Sequence, residues 1–178
     1  MVKSYFISLC ITFFLFIGFT YGQKEQLRVS PKASVMQVVG LTEIKIDYSR
    51  PGVKGRTIWG ELVPYNKVWR AGANEATTIN FESGVLIEGK KLSAGKYSFF
   101  TVPNKNEWTL VFNKVADQWG AFEYNEAEDA LRVSVKPVNN NHTEWLAFSF
   151  TDLNPKEGKA VINILWEKLK VSFTVEAQ

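Results

Sequence analysis

The stretch from Tyr48 to Thr78, YSRPGVKGRTIWGELVPYNKVWRAGANEATT, gathers residue types that grip ligands. Its first half sets Arg50, Lys54 and Arg56 around Pro51, Gly52 and Gly55. Guanidinium groups match carboxylates and phosphates as a bidentate fork, so a compact loop holding these cations together would act as an anion grip. Arg50-Pro51-Gly52-Val53 fits a type II turn, with proline setting φ at the second position and glycine taking positive φ at the third. The same residues also suit a solvated basic turn that keeps a strand edge from pairing. In the second half, Trp69 to Thr77, small residues let the backbone approach a ligand while Arg70, Asn74 and Glu75 offer mixed donors and acceptors. Trp59, Tyr65 and Trp69 supply flat aromatic platforms, a combination that suits a sugar or another polar ring. Against this, Arg70 and Glu75 can satisfy each other, and large aromatics fill cores by default. The ligand-binding candidates are therefore Arg50, Lys54, Arg56, Trp59, Trp69, Arg70, Asn74 and Glu75.

Other chemistries find less support. His142 is the single histidine and Cys10 the single cysteine. A cupin-like metal site needs more than one histidine, and a zinc site without a mature cysteine would rest mainly on carboxylates. The acidic run Glu123, Glu126, Glu128 and Asp129 lacks the spacing and bend glycine of an EF-hand loop, and reads as a solvated acidic loop. No GxSxG nucleophile elbow is present. Asp117 and Glu61 are candidate paired acids for glycoside hydrolysis, but sequence spacing does not report their separation in space. No catalytic residue, metal ligand or cofactor is assigned.

The elements that must position these residues begin after an export signal. Basic Lys3, an apolar run from Tyr5 to Phe19 and the small residues Thr20 and Gly22 predict a secretory signal peptide over residues 1–22. The run is shorter than the roughly 20 residues of a spanning helix, and Cys10 lies inside it rather than at its end, which argues against a lipoprotein. Cleavage leaves residues 23–178 as a single domain, large enough to need no staple. With Cys10 removed, that domain can form no disulfide. Loss of Lys3 lowers the formal charge of +3 by one, too weak an excess to argue for nucleic acid. No later apolar run is long enough to span a membrane.

Beyond the lead, alternation dominates. Ile44, Ile46 and Tyr48 share one face, as do Trp108, Leu110 and Phe112, then Leu131, Val133 and Val135, then Leu146, Phe148 and Phe150. This period of two marks half-buried strands. Glu88-Gly89 reads as a tight hairpin turn, Asn139-Asn140-Asn141 as a turn, and Ala160–Trp166 and Leu169–Val175 as separate runs. Short helical turns are expected near Ile58–Leu62 and Ala116–Trp119. Eight to ten strands predict an all-β, single-domain antiparallel β-sandwich, jelly-roll-like or barrel-like, with one or two short helical turns.

Several blocks carry a resemblance: VSPKASV at Val29–Val35, DYSRPGVKGR at Asp47–Arg56, ELVPYNKVWRAGANEAT at Glu61–Thr77, LSAGKYSFFTVP at Leu92–Pro103, EWTLVFNKVADQWGAFEY at Glu107–Tyr124, HTEWLAFSF at His142–Phe150 and LWEKLKVSF at Leu165–Phe173. They resemble an exported bacterial domain-of-unknown-function family, number twenty-nine-eleven. Asn66 stands where that family has glycine, and Ser93 where proline is usual. The resemblance implies export and an all-β domain, and brings no activity or ligand with it. The leading expectation is a secreted, non-enzymatic domain, periplasmic or extracellular, that binds a small anionic or carbohydrate-like ligand. An envelope protein-interaction module is the alternative, and a hydrolase ranks last.

Overall fold

The computed structural model describes residues 27–178, so the predicted signal peptide lies outside the described residues. Ten strands follow in order: β1 (Lys32–Val39), β2 (Thr42–Ser49), β3 (Thr77–Phe81), β4 (Val85–Ile87), β5 (Lys90–Leu92), β6 (Gly95–Val102), β7 (Trp108–Asn113), β8 (Asp129–Val135), β9 (Val138–Asn154) and β10 (Lys159–Ala177). They form a six-stranded sheet, β1-β2-β3-β6-β7-β8, and a four-stranded sheet, β5-β4-β10-β9, all antiparallel. The chain is a β-sandwich.

Alternation decides which side chains meet between the sheets. Ile44 and Ile46 on β2, Ile79 and Phe81 on β3, Phe99 on β6 and Phe112 on β7 are fully buried. They face Leu146, Ile162, Phe173 and Val175 of the smaller sheet in one cluster. Each such side chain contributes about 1.5–3 kcal/mol through removal from water. Phe99 stacks on Phe173 at 5.8 Å between ring centroids. A buried polar link joins the two sheets where the Phe148 N–H donates to Tyr48 Oη at 3.1 Å.

Strand β10 is continuous where the alternation reads as two runs. Ile162, Ile164 and Trp166 point inward at even positions, whereas Val171, Phe173 and Val175 do so at odd ones. The parity changes around Glu167, whose φ is +54°, and the register shifts on both sides of it: β10 runs Leu165, Glu167, Leu169 while β9 runs Ala147, Thr143, Asn139, so the unpaired residues of the bulge lie on β9. Asn139-Asn140-Asn141 is likewise strand, not turn, because β10 extends far enough to pair with it through Leu169↔Asn139. The expected hairpin turn holds at Glu88 and Gly89, with φ of +48° and +75°.

Neither expected helical turn forms. Ile58–Leu62 folds instead into a compact loop closed by Val63 N–H to Ile58 O (2.9 Å) and Gly60 N–H to Val63 O (2.9 Å). Ala116–Trp119 forms no helical turn because Gln118 and Trp119 pair with the segment before β3. Among the described residues the one helical element is a single 3₁₀ turn at Glu126–Glu128, capped by the Asn125 side chain. The acidic run around it is partly structural: Asp129 accepts from Tyr124 Oη (2.6 Å), Asn113 Nδ2 (2.8 Å) and Arg132 Nη1 (3.0 Å).

Candidate functional site

Between β2 and β3 the chain makes no regular strand and instead lays isolated bridges onto its neighbours: Gly52↔Trp145, Trp69↔Thr101 and Glu75↔Trp119. Pro51 to Val53 adds a short extra edge to β9, with Val53 N–H to Glu144 O at 2.8 Å and Leu146 N–H to Pro51 O at 3.1 Å. The type II turn expected over Arg50–Val53 is therefore absent, and Gly52 has no positive φ. Its lack of a side chain serves close approach: a Cβ there would lie 3.1 Å from Glu144 Oε1 and 3.2 Å from the Trp145 ring. The tight turn falls three residues later, over Val53–Arg56, where Arg56 N–H donates to Val53 O at 3.1 Å. Lys54 and Gly55 have φ of +50° and +69°, the type I′ arrangement that follows a strand's twist.

This small hairpin presents Lys54 and Arg56. Arg56 braces it, with Nε donating to Val53 O at 3.1 Å and Nη2 to Gly52 O. The Lys54 ammonium lies 5.7 Å from the Trp145 ring centroid. Arg50 is directed elsewhere, its Nε donating to Leu146 O at 2.7 Å.

The second half is anchored by Trp69. Its backbone exchanges hydrogen bonds with Thr101 at 2.7 and 2.8 Å, and its Nε1 donates to Gly72 O at 3.2 Å. The ring stacks on Trp166 at 5.6 Å. Trp59 meets Trp69, Trp108 and Trp166 edge-on at 5.8, 4.9 and 5.7 Å. Trp59 thus packs inside a four-tryptophan cluster. The indole Nε1 atoms of Trp59, Trp108 and Trp166 are buried there without a partner.

Arg70 follows directly. Its Nε is buried with no hydrogen-bond acceptor, and burial lowers the pKa of the guanidinium from its ordinary value. Arginine nonetheless stays protonated in proteins. The chain beyond it adopts positive φ at Ala71 (+51°) and Asn74 (+58°). Asparagine tolerates that region, but for alanine it costs about 1–2 kcal/mol. The strained run turns the chain so that Arg70 and Glu75 face different surfaces. Glu75 is held by Arg28 in a bidentate pair at 2.7 and 2.8 Å and by Lys32 at 3.4 Å. The Arg28 hydrogen bond, foremost, lowers its pKa from 4.5 to about 2. The Arg70–Glu75 pair that the sequence allows does not form.

Lys54, Arg56, Trp69 and Arg70 line one cleft of about 220 Å³ with Gly72 and Trp166. Of the other sequence candidates, Arg50 and Trp59 lie outside its lining, as do Asn74, whose Nδ2 donates to Ser30 O at 3.4 Å, and Glu75. Among the described residues no carboxylate lines the cleft. Its charged side chains are all cations, Lys54, Arg56 and Arg70, beside the Ser30 hydroxyl. Such a donor-rich set fits an anion, which offers only acceptors. Trp166 was legible in the sequence only as a core residue of its strand, and nothing in its local pattern marks it as a wall. His142 lies apart from the cleft, exposed, with Nε2 3.3 Å from Glu144 Oε2.

The family described as "Protein of unknown function (DUF2911)" matches residues 30–175. The chain belongs to that family. No curated protein and no solved structure matches the chain. The residues lining the cleft all fall within the matched span except Val29.

Proposed function

We propose that this domain is an exported, non-enzymatic binder of a small anion, a short carboxylate or a phosphate, held in the cleft between the Lys54–Arg56 turn and Arg70. One observation carries the reading: Arg70 is partly buried, and its Nε is fully buried and unpartnered among the described residues, in a cleft that no described carboxylate lines. A fold gains nothing from an unpaired buried donor, which costs about 1–3 kcal/mol. An anion bound there recovers that loss with charge-assisted hydrogen bonds. The volume favours a small ligand, since about 220 Å³ is below the roughly 300–1,000 Å³ of sites for drug-sized molecules. Three lining cations and no described lining carboxylate favour an anion over a sugar in this cleft.

Calorimetric titration with acetate, succinate and inorganic phosphate tests the proposal. Saturable binding to the wild type is expected. It should fall by about tenfold to a hundredfold in Arg70→Met, the range for losing a hydrogen bond to a charged group, and less in Arg56→Met. Binding that survives Arg70→Met, or that merely tracks ionic strength, would remove the basis of the reading. Export is supported by Lys3 and the apolar run from Tyr5 to Phe19. Recovery of the protein outside the cytoplasm with Gln23 as its first residue is the matching result.

A further inference from the structure

The outer face of the six-stranded sheet carries a second, larger depression that shares no lining residue with the cation-lined cleft. Its volume is about 580 Å³, inside the range of small-molecule sites. Asp47 and Ser49 of β2 and Thr78 of β3 alternate outward to make its floor. Glu75, Asp117 and Trp119 stand around them. The hydroxyl-bearing Ser49 and Thr78 are almost fully covered, at 3% and 9% exposure, so this floor is not an ordinary wet sheet face.

Trp119 is 59% exposed, yet its backbone is held on both sides. Ala76 N–H donates to Gln118 O at 2.9 Å and Gly120 N–H to Asn74 O at 3.0 Å. Gln118, at the same wall, is 7% exposed. Its Nε2 donates to Val115 O (2.6 Å), Ser98 Oγ (3.2 Å) and Asn113 Oδ1 (3.3 Å). Val115 O and Asn113 Oδ1 only accept, so the amide cannot be turned round, and Oε1 is left buried without a donor. The groove thus combines a solvent-facing indole, on a backbone held at both flanks, with a wall residue, Gln118, whose buried Oε1 has no donor among the described residues.

The charges there nearly balance. Lys45 pairs with Asp47 at 3.1 Å, Lys96 with Asp117 at 2.7 Å and Arg28 with Glu75 at 2.7 Å. Each carboxylate has about four acceptor positions, so these exposed pairs leave capacity for further donors. An anionic ligand would meet three carboxylates, whereas a neutral ligand rich in hydroxyls finds acceptors, ammonium donors and an apolar ring together. We infer that the groove is a binding site for neutral oligosaccharides, with Trp119 stacking on the C–H face of a pyranose ring and Asp47, Glu75 and Asp117 accepting from its hydroxyls. This inference stands apart from the anion cleft, and either can fail alone.

Titration with neutral oligosaccharides of glucose, mannose and N-acetylglucosamine at millimolar concentration is the test. At least one series binds the wild type. Trp119→Ala weakens that binding by about tenfold, the upper end of what an aromatic stacking contact contributes, and leaves thermal unfolding unchanged. Asp47→Ala also weakens it. Phe122→Ala, a substitution of an 85% exposed aromatic in the same loop but outside the groove, leaves it unaltered, and acetate does not compete. Absence of wild-type binding to every series would overturn the inference. So would binding that survives both groove substitutions, or binding lost on Arg70→Met, which would place the sugar in the other cleft.

Discussion

Replacing Arg70 with methionine should change stability with opposite signs in the absence and presence of an anion. The guanidinium Nε is buried and bonded to nothing, a state that costs about 1–3 kcal/mol. Methionine is unbranched and keeps the apolar packing of the arginine stem. The ligand-free variant should therefore be more stable than the wild type. The gain should sit near the lower end, about 1 kcal/mol, because Nε alone of the guanidinium nitrogens is among the buried unpartnered atoms of the described residues. For a domain of this size that raises the unfolding midpoint by about 2–4 °C. A ligand at a hundredfold excess over its Kd stabilises the folded state by about 2.7 kcal/mol, so a binding anion should lift the wild type by about 5–10 °C and the variant by far less. The order of stability then inverts as acetate is added. Thermal unfolding followed by circular dichroism measures both, with sodium chloride matching the ionic strength. A variant about 2 kcal/mol less stable than the wild type without anion, or equal gains by the two proteins, would refute the assignment of Arg70 as an unpaired ligand-seeking group.

Three further outcomes follow from the same contacts. Glu75 has its pKa lowered to about 2, so its ion pair with Arg28 stabilises the fold above about 4.5 and loses that contribution as pH falls towards about 2. Both partners are about one-third exposed, which limits the effect to about 1 kcal/mol; denaturant unfolding of wild type and Glu75→Gln should differ at neutral pH and converge in acid. Tyr48→Phe removes the acceptor of the buried Phe148 N–H and should destabilise by about 1–3 kcal/mol, read as a lower urea midpoint with unchanged slope. At Gly72 a Cβ would lie 3.1 Å from the Ser49 carbonyl oxygen and 3.0 Å from Thr77 Oγ1. Because backbone yields less than a side chain, Gly72→Ala should cost about 1–3 kcal/mol in the same assay, and an unchanged midpoint would show that the loop can shift.

The strands were legible because their signal is local. Residues such as Ile44, Ile46, Phe99 and Phe112 alternate with polar neighbours, and burial then follows from a period of two. Even the register shift at Glu167 was written in the change of parity between Trp166 and Leu169, although it reads in one dimension as a break between two strands. Asn66 has a positive φ, +59°, a region that asparagine tolerates better than most residues with a side chain. The candidate site was legible only in part. Clustering of arginines, tryptophans and glycines marked the segment, but the turn it contains depended on β9: Gly52 is extended because Trp145 and Glu144 lie against it, which moved the turn to Lys54-Gly55.

By itself, then, the sequence determined the sandwich, the inward faces of its strands and the place in the chain where regular structure stops. Those are consequences of spacing between near neighbours, which any stretch of backbone carries with it. Which cations share a surface was decided by the tertiary structure. The strained run from Ala71 to Asn74 sends Arg70 into a cleft with Lys54, Arg56 and Trp166, and sends Glu75 to the opposite partners, Arg28 and Lys32. Charge pairing is a matter of a few ångströms across the fold, and adjacency in the chain does not report it.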